Sequence, residues 1–395
     1  MKVALLSPLP PEKNGIASYA DLFGTALQAS GVELKVPLKG EGNFTSIKEV
    51  ASFVHRHEWN DVDLVHVELG GGRLREYLII KKLRSLYPNL LITATIHDPE
   101  RIIWQSTKLP WPLSMLQSYG LPYKLAMLLV DPWTIKDERH TARAFSHMVT
   151  LTNTGAVSFT KRMRLPESKV SVIPHGNSYI EPKKLPPLES LKLLYFGFIY
   201  KGKGIEDLID ALSLVVNESP LLGKKIELTL AGGCSPDIAF GQKKDYLSEL
   251  KAQVERLGLK SLIHWELNIA DSEIANVIQA NHVVVLPYHE SKKIKLLGDI
   301  RGTSGALSWA IACGRGVIAS DTRSFAEEVG DGNGVVYPQG DVAVLAKHIK
   351  DLSLDPNRIV SWAEKAHEIA QERQWKKVAV KFKTLFNNLM LRNVE

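Results

Sequence analysis

Short apolar runs alternate along the chain with segments in which apolar residues recur every three or four positions. The short runs have the length and the β-branched composition of buried strands, and the periodic segments have the pattern of amphipathic helices. In the first half the predicted strands are Val3–Ser7, Val32–Pro37, Leu64–Val67, Leu90–Ile96, Met148–Leu151 and Val170–Ile173, with helices such as Ile16–Gln28 and Ile47–His57. Strands separated by helices pair in parallel, in a sheet that is covered on both faces.

The same alternation starts again in the second half. The predicted strands there are Leu191–Phe196, Lys225–Ala231, Ile263–Glu266, His282–Leu286, Gly316–Ala319 and Gly334–Tyr337. The helix patterns include Gly204–Val216, Asp245–Leu257, Asp271–Gln279, Gly305–Cys313 and Val342–Leu352. We therefore predict an α/β protein with two doubly wound parallel sheets, and ligands that bind at the carboxyl ends of the strands.

The Pro- and Lys-rich stretch Ile180–Leu188 has no periodicity and is typical of a linker between domains. It divides the chain into an N-terminal domain of residues 1–180 and a C-terminal domain of residues 181–374. The last segment, residues 375–395, is amphipathic, and we expect it to pack back on the first domain.

Length and composition agree with two ordinary globular domains, because the chain has 395 residues, of which 45% are hydrophobic and 23% charged. The two cysteines, Cys234 and Cys313, have neither disulfide nor metal-site spacing, and the first apolar run is too short for a signal peptide. Both features favour the cytoplasm. The formal net charge of +6 favours anionic partners, but the basic residues are too dispersed for a nucleic-acid module.

Residues 102–133 form the most apolar and aromatic stretch, which is shorter in its continuous runs than a membrane span. Prolines at positions 110, 112, 122 and 132 are expected to break it. Such a segment either contacts a bilayer surface or a lipid-linked molecule, or forms a pair of core helices with a Trp-rich edge.

The strongest candidate site is the Gly-rich stretch Gly302–Leu307, which opens a predicted helix. A helix start leaves backbone N–H groups free, and they suit a phosphate or diphosphate. The alternative is an ordinary capped helix between two strands, since Ser and Thr are common caps.

Other loops follow predicted strands and are expected at the same sheet edges. His97 ends a buried strand, where it carries a proton or binds a ligand, or else caps the strand as a structural residue. Lys203 stands beside a helix start and suits a diphosphate, unless it is a solvated surface lysine. Neither a P-loop nor a hydrolytic nucleophile elbow occurs. The remaining loop positions of interest are Asn14, Gly15, Asp98, His175, Gly197, Gly233 and Glu290.

In their order along the chain these pieces resemble the retaining nucleotide-sugar glycosyltransferases of the GT-B fold, the family 4 or group 1 glycosyltransferases. The matching pieces are Asn14-Gly15-Ile16, His97-Asp98, Ile173–Gly176, Gly197–Gly204, Ala231-Gly232-Gly233, Pro287-Tyr288, Ser304–Ser320 and Glu327–Gly334. The resemblance covers nearly the whole chain. It implies two Rossmann-like domains that face a central cleft, with the acceptor bound by the first domain and the nucleotide sugar by the second.

The resemblance also implies roles for individual residues. Catalysis is assigned to His97, Lys203 and Arg301. The resemblance places His97 at the transferred sugar or the reaction centre and Lys203 on the diphosphate, whereas Arg301 is our own expectation. Cations stabilise the charge that develops on a departing nucleoside diphosphate. The donor-binding residues are expected to be Gly15, Gly197, Lys203, Gly233, Glu290, Thr303, Ser304, Gly305, Ala306 and Leu307. The acceptor-binding residues are expected to be Asn14, Asp98, Trp104 and His175.

The implied reaction moves a mannose- or glucose-type hexose from a UDP-, GDP- or ADP-sugar to a glycan or a lipid-linked acceptor, with retention of configuration. It belongs to the synthesis of cell-surface polysaccharides or glycoconjugates. No cofactor and no metal ion are expected. The implied location is the cytoplasm, with peripheral contact to the membrane.

The chain departs from the family pattern at three positions. The two glutamates that the family carries around its donor loop are replaced by Arg301 and Trp309, and the arginine that precedes the donor lysine is replaced by Phe198. We expect Arg301 to supply positive charge instead. The alternatives are a nucleotide-sugar-binding subunit that has lost catalysis, or another GT-B enzyme such as an epimerase or a phosphorylase-like enzyme.

Overall fold

The computed structural model describes residues 1–12, 14–44, 46–70, 72–103, 109–118, 120–233, 246–290 and 302–394. Three residues singled out from the sequence, Trp104, Cys234 and Arg301, lie outside these ranges. The chain divides into two compact units. The first consists of Met1–Gly176 and Trp375–Glu395, together with the short stretch Ile300–Gly302, and the second of Asn177–Asp299 and Thr303–Gln374.

The predicted linker belongs structurally to the second unit, because its backbone carbonyls are hydrogen-bonded there. The Gln279 amide donates to the Glu181 carbonyl at 2.8 Å, and the His282 ring lies 3.1 Å from the Pro186 carbonyl. The buried Arg315 guanidinium also reaches the carbonyl of Lys183 at 3.5 Å. The units therefore divide at Gly176, ahead of the Pro-rich stretch.

The first unit contains a six-stranded sheet in which all strands are parallel. Its strand order is β2-β1-β3-β4-β5-β6. The strands are β1 Lys2–Leu6, β2 Glu33–Lys35, β3 Leu64–Leu69, β4 Ile92–Ile96, β5 His147–Thr150 and β6 Val170–Val172. The two sides of β1 enter different cores, with Val3 and Leu5 on one face and Ala4 and Leu6 on the other, as the period of two in a strand requires.

The second unit also has six parallel strands, in the order β12-β11-β10-β7-β8-β9. They are β7 Leu191–Phe196, β8 Ile226–Gly232, β9 Ile263–Leu267, β10 Val283–Leu286, β11 Gly316–Ser320 and β12 Gly334–Tyr337. The predicted architecture of two Rossmann-like parallel sheets is confirmed. All twelve predicted strands are present, with ends that differ by a few residues.

The helices cover both faces of each sheet. They are α1 Gly15–Ala29, α2 Ile47–Arg56, α3 Leu74–Leu86, α4 Gly120–Ala144, α5 Asn153–Met163, α6 Ile205–Glu218, α7 Pro220–Gly223, α8 Tyr246–Arg256, α9 Ile274–Gln279, α10 Gly305–Ala312, α11 Phe325–Val329, α12 Val342–Leu354, α13 Pro356–Glu372 and α14 Trp375–Val394. The first turn of the predicted helix at Asp271 is a 3-10 turn, Asp271–Glu273. The final helix α14 packs on α1, with the rings of Phe382 and Phe23 4.6 Å apart.

The expectation that prolines break the apolar stretch is wrong within α4. Pro122 lies in the first turn of this helix, where its missing N–H removes no helical hydrogen bond. Pro132 lies in the interior, and the helix continues through it. The half that follows is anchored, because the buried Glu138 carboxylate accepts two hydrogen bonds from Arg101, at 3.1 and 3.0 Å. This anchorage offsets the bond lost at Pro132.

Candidate functional site

The second sheet reverses its strand order between β7 and β10, which are hydrogen-bonded neighbours although β8 and β9 lie between them in sequence. Ligands of open parallel sheets bind at such a reversal, outside the carboxyl ends of the strands. The loops that follow β7 and β10 are in direct contact there, since the His289 N–H donates to the Gly202 carbonyl at 2.9 Å. Gly204 has φ +64° and no room for a side chain, because an added Cβ would lie 1.7 Å from the Pro287 carbonyl oxygen.

This contact brings Lys203 onto an aromatic ring. The Lys203 ammonium lies 3.5 Å from the centre of the Tyr288 ring and 5.2 Å from that of Tyr200. No carboxylate forms an ion pair with Lys203 among the residues that the structure describes. Burial lowers the pKa of Lys203 to about 8, an effect that the nearby Tyr200 opposes and the charge of Arg323 reinforces. The site therefore holds a desolvated cation with no anionic partner in that part of the chain.

A second cation at this place is Arg323, which sequence reasoning did not select. Its guanidinium carbon lies 5.7 Å from the centre of the same Tyr288 ring. Arg323 has φ 55°, the left-handed region that non-glycine residues rarely adopt. The carboxylate of Glu290 holds this conformation by accepting the Arg323 N–H at 2.8 Å. The sequence feature that could have identified Arg323 is its position three residues after β11, at the carboxyl edge of the sheet.

The predicted anion loop begins α10 beside the same ring. Ser304 is the N-cap of α10 without a capping hydrogen bond from its side chain, and its hydroxyl lies 3.2 Å from the Tyr288 hydroxyl. The hydroxyl of Thr303 instead donates to the buried Glu328 carboxylate, 2.8 and 2.7 Å from its two oxygens. Burial raises the pKa of Glu328. The loop is therefore fixed to the protein through the Thr303 side chain.

The other predicted donor positions differ in what they offer a ligand. Leu307 is fully buried in the apolar core, and only its backbone is available, whereas Gly305 is exposed and Ala306 is partly buried. Gly197 has φ +139°, and the Gly233 carbonyl accepts the Ile199 N–H at 3.1 Å. Gly197 and Gly233 shape the loops rather than present side chains.

In the first unit His97 is held by a buried carboxylate. Its Nε2 lies 2.8 Å from Glu68, which stands inside β3 and has no exposed surface. His66 lies on the other side of that carboxylate, 3.3 Å away. Desolvation would raise the pKa of Glu68, but hydrogen bonds from His66 and His97 outweigh it and lower the pKa to about 2. Glu68 is an ionised orienting group for His97.

Tyr19 on α1 brings the two predicted histidines together. Its ring makes edge contacts with the rings of His97 and His175, at centroid distances of 4.7 and 5.1 Å. Its hydroxyl is buried, and desolvation raises its pKa well above the usual value. The Trp375 ring completes the cluster, 4.9 Å from Tyr19. Neither Tyr19 nor Glu68 was selected from the sequence, although a glutamate within an apolar run was a usable signal.

The loop after β1 lies at the same edge of the first sheet. The Asn14 side chain is occupied as the N-cap of α1, since it accepts the Ala17 N–H at 2.8 Å. Gly15 opens the helix with no atom near the position of an added Cβ. Asp98 lies against Gly70, where an added Cβ would stand 2.8 Å from the carboxylate. Ile16, which follows Gly15, approaches the same position at 2.9 Å, so Asp98 and the start of α1 flank the end of β3.

The outer side of α4 is apolar and exposed. We define the apolar face of α4 as Leu121, Leu125, Leu128, Leu129 and Trp133, all of which are exposed, Trp133 to 70%. Trp111 and Met115, just before the helix, are also exposed. Exposed Lys136, His140 and Arg143 continue the same side of the helix. On the other side of the helix, Ala126 and Met127 are buried together with Leu109 in a small apolar cluster of their own. The stretch therefore has both the buried helical contacts of one expectation and the exposed apolar edge on which the other depends.

Two kinds of feature are absent from the part of the chain that the structure describes. Within the described ranges no group of three or more His, Cys, Asp or Glu side chains is placed to hold a metal ion. In that same part of the chain, no helix has the length and apolar character needed to cross a membrane.

Comparison with known proteins gives a family match for the second unit. Residues 178–369 match the family model of glycosyl transferases group 1. The chain is 29% identical over 197 residues to the D-inositol 3-phosphate glycosyltransferase of Streptomyces bingchenggensis. That match covers 49% of this chain and 40% of the relative, so the chain matches less than half of the relative's length.

Solved structures match almost the whole chain. Sucrose-phosphate synthase from Thermosynechococcus elongatus has a TM-score of 0.69 at 17% identity, with 99% of this chain and 100% of that chain covered. HepE from Anabaena, in complex with UDP, has a TM-score of 0.66 at 18% identity, with coverages of 98% and 100%. At these identities the likeness establishes the GT-B fold.

Proposed function

We propose that this chain, in which residues 178–369 form a glycosyl transferases group 1 domain within a GT-B fold, transfers a hexose from a nucleoside-diphosphate sugar to a glycan or lipid-linked acceptor. The proposal includes retention of configuration, a mannose- or glucose-type donor and a cytoplasmic role in building cell-surface glycans. The observation that carries it is the desolvated Lys203 ammonium over the Tyr288 ring, whose hydroxyl lies beside Ser304 at the start of α10.

The chemistry required of the second unit is the stabilisation of a leaving group. The bond between C1 of the sugar and the diphosphate oxygen breaks, and a bond forms between C1 and the acceptor hydroxyl oxygen. The hydroxyl proton passes to the departing diphosphate or to solvent. Negative charge then develops on the diphosphate, where the Lys203 ammonium and the N–H groups of α10 can stabilise it. This arrangement supports a reaction without a metal ion.

We assign the contact with the transferred sugar to His97. Its Nε2 is occupied by the buried Glu68 carboxylate, which orients the ring. A ring held in this way binds a hydroxyl group in one geometry and does not need to reorganise during transfer. Tyr19 and His175 support the ring from the side and belong to the same proposed subsite.

The acceptor side of the proposal rests on the apolar face of α4. An exposed apolar helix face that continues into Lys136, His140 and Arg143 is typical of a helix that lies on an anionic bilayer. We therefore propose peripheral binding to anionic membranes through α4, which would bring the chain to an acceptor held at the membrane surface. Asp98 remains a proposed acceptor contact.

The test is a donor screen with UDP-glucose, GDP-mannose and ADP-glucose, in which release of nucleoside diphosphate is measured with and without a glycolipid extract. We expect acceptor-dependent release from one donor, unaffected by EDTA, and NMR of the product should report the donor's anomeric configuration. Lys203→Gln should abolish release while the protein stays folded. Nucleotide binding without release from any donor would instead identify a binding subunit, and absence of nucleotide binding would contradict the proposal altogether.

A further inference from the structure

Arg323 and Lys203 both stand over one aromatic ring, that of Tyr288. The guanidinium carbon of Arg323 lies 5.7 Å and the Lys203 ammonium 3.5 Å from the centre of the Tyr288 ring. Among the residues that the structure describes, neither side chain forms an ion pair. The charge of Arg323 lowers the pKa of Lys203, so the two cations repel each other, and this repulsion is relieved when an anion binds to both.

The backbone at Arg323 is held in an unfavourable conformation that directs this side chain to the site. A non-glycine residue at φ 55° is strained, and such strain persists only where the surroundings impose it. Here the Glu290 carboxylate accepts the Arg323 N–H at 2.8 Å, and the Thr303 carbonyl accepts a hydrogen bond from the guanidinium at 3.3 Å. The second contact ties Arg323 to the residue that precedes the N-cap of α10.

The guanidinium has capacity left for a ligand. One of its terminal nitrogens donates to Thr303, and no other hydrogen bond of the Arg323 side chain occurs within the described residues. A guanidinium carries five N–H donors in a planar fork that matches the oxygens of a phosphate group. Arg323 is half-buried, as is Lys203, so both remain accessible to a small anion.

We propose that Arg323 is the second phosphate-binding cation of this site and clamps the donor diphosphate together with Lys203. The inference rests on the proposed nucleotide-sugar function and adds to it a residue that lies on a different loop, after β11. Phe198 carries no charge at the position where the family has its arginine, and Arg323 supplies a cation from the opposite side of β10. Arg323 contacts the diphosphate itself and is therefore a catalytic residue in this proposal.

The experiment is calorimetric titration of Arg323→Gln with UDP, GDP or ADP, whichever the wild-type protein binds best, and with the corresponding nucleoside. We expect the diphosphate to bind at least tenfold more weakly to the variant, while the nucleoside binds as to wild type. Arg323→Lys should recover part of the loss, because it restores the charge without the fork. The matched control is Arg358→Gln, since Arg358 stacks on Trp362 at 5.3 Å in the same unit, and its loss should change nothing.

A second readout distinguishes a phosphate contact from a structural role. Among the described residues, Tyr200 raises and Arg323 lowers the pKa of Lys203 by their charges. Tyr288 lies against the ammonium, and the titratable His289 and Glu290 follow Tyr288 on the same loop. Removal of Arg323 should therefore move the alkaline loss of diphosphate binding to higher pH, which misfolding would not do.

The outcomes separate the two proposals. If wild type binds a nucleoside diphosphate and Lys203→Gln weakens it, while Arg323→Gln binds within twofold of wild type, the assignment of Arg323 is overturned and the proposed function stands. If wild type binds no nucleoside diphosphate, the proposed function fails first. Equal weakening of diphosphate and nucleoside by Arg323→Gln would also overturn the clamp, because it would indicate general damage to the site.

Discussion

The ammonium of Lys203 lies 3.5 Å from the centre of the Tyr288 ring, and the two residues follow different strands, β7 and β10. The contact depends on Gly204, whose missing side chain lets the two loops touch. The Tyr288 hydroxyl extends the arrangement to Ser304 at the start of α10. The Tyr288 ring therefore links three separate loops of the candidate site. The charge of Lys203 and the packing of the loops at Gly204 can each be changed by its own substitution.

The charge of Lys203 should make nucleotide binding sensitive to alkaline pH. The pKa of this ammonium is about 8, so it loses its charge above that pH, and diphosphate binding must then be coupled to proton uptake. We expect affinity for the diphosphate to be about tenfold weaker at pH 9 than at pH 7. Isothermal titration across this range measures the effect. Lys203→Arg, which stays charged, should flatten the profile, and an unchanged slope in that variant would assign the titration to another group.

Gly204→Ala should disrupt the site through packing. An alanine here would be strained by roughly 1–2 kcal/mol at φ +64°. Its Cβ would also lie 1.7 Å from the Pro287 carbonyl, so the loop that carries Tyr288 must move. We expect at least a tenfold loss of diphosphate affinity. Gly258→Ala is the matched control, because Gly258 has φ +69° and open space at its Cβ. Equal losses of affinity in both variants would show that the contact with Pro287 is irrelevant.

Glu68→Gln should slow transfer without weakening the binding of the donor. The amide still accepts a hydrogen bond from His97 but removes the charge that orients and stabilises the ring, and we expect kcat to fall at least tenfold with an almost unchanged donor KM. NMR of the His97 ring nitrogens should report a changed hydrogen bond at Nε2. A parallel rise in KM would point to general damage, and an unchanged kcat would remove Glu68 from the positioning role.

The ionised Glu68 carboxylate should also make the protein less stable in acid. The pKa of Glu68 is lowered to about 2 in the folded protein, below its ordinary value of 4.5. The stabilisation it provides is therefore complete above about pH 4.5 and is lost as the pH falls towards 2. The difference in free energy of unfolding between wild type and Glu68→Gln, measured in urea, should shrink over that interval. A constant difference would mean that the carboxyl is not ionised in the fold.

The strands could be predicted from the sequence because buried parallel strands are short apolar runs with few alternatives. The end of β3 is an exception. The prediction ended this strand at Val67, ahead of a glutamate, whereas β3 continues to Leu69. The local hydrophobic pattern alone predicts that a buried strand ends where a charged residue begins. The charge of Glu68 is tolerated because His97, 29 residues further along the chain, pairs with it.

The candidate site shows the same division between local and long-range information. Lys203 and the Ser304 loop are recognisable, since each has a local signature at the start of a helix. Arg323 is not, because its placement over Tyr288 depends on the order of β7, β10 and β11 in the sheet and on a left-handed backbone held by Glu290. Likewise α4 continues through Pro132, because contacts of Glu138 with Arg101 stabilise the half beyond it.

The apolar face of α4 should bind anionic membranes. Leu125, Leu129 and Trp133 are exposed on one side of the helix, and Lys136 continues that side with positive charge. We expect the protein to sediment with vesicles that contain phosphatidylglycerol and to remain in solution with purely zwitterionic vesicles at moderate salt. Leu129→Ser with Trp133→Ser should abolish sedimentation. Because both side chains are already exposed, the melting temperature should hardly change.

The control for this double variant is Leu221→Ser, which removes a leucine that is more exposed, at 82%, from the second unit. It should leave sedimentation unchanged, since a single exposed leucine has no apolar neighbours to insert with it. Lys136→Glu with Arg143→Glu should weaken binding to anionic vesicles while retaining the apolar face, which separates the electrostatic contribution from the hydrophobic one. If the serine variant sediments like wild type, α4 is not the membrane contact.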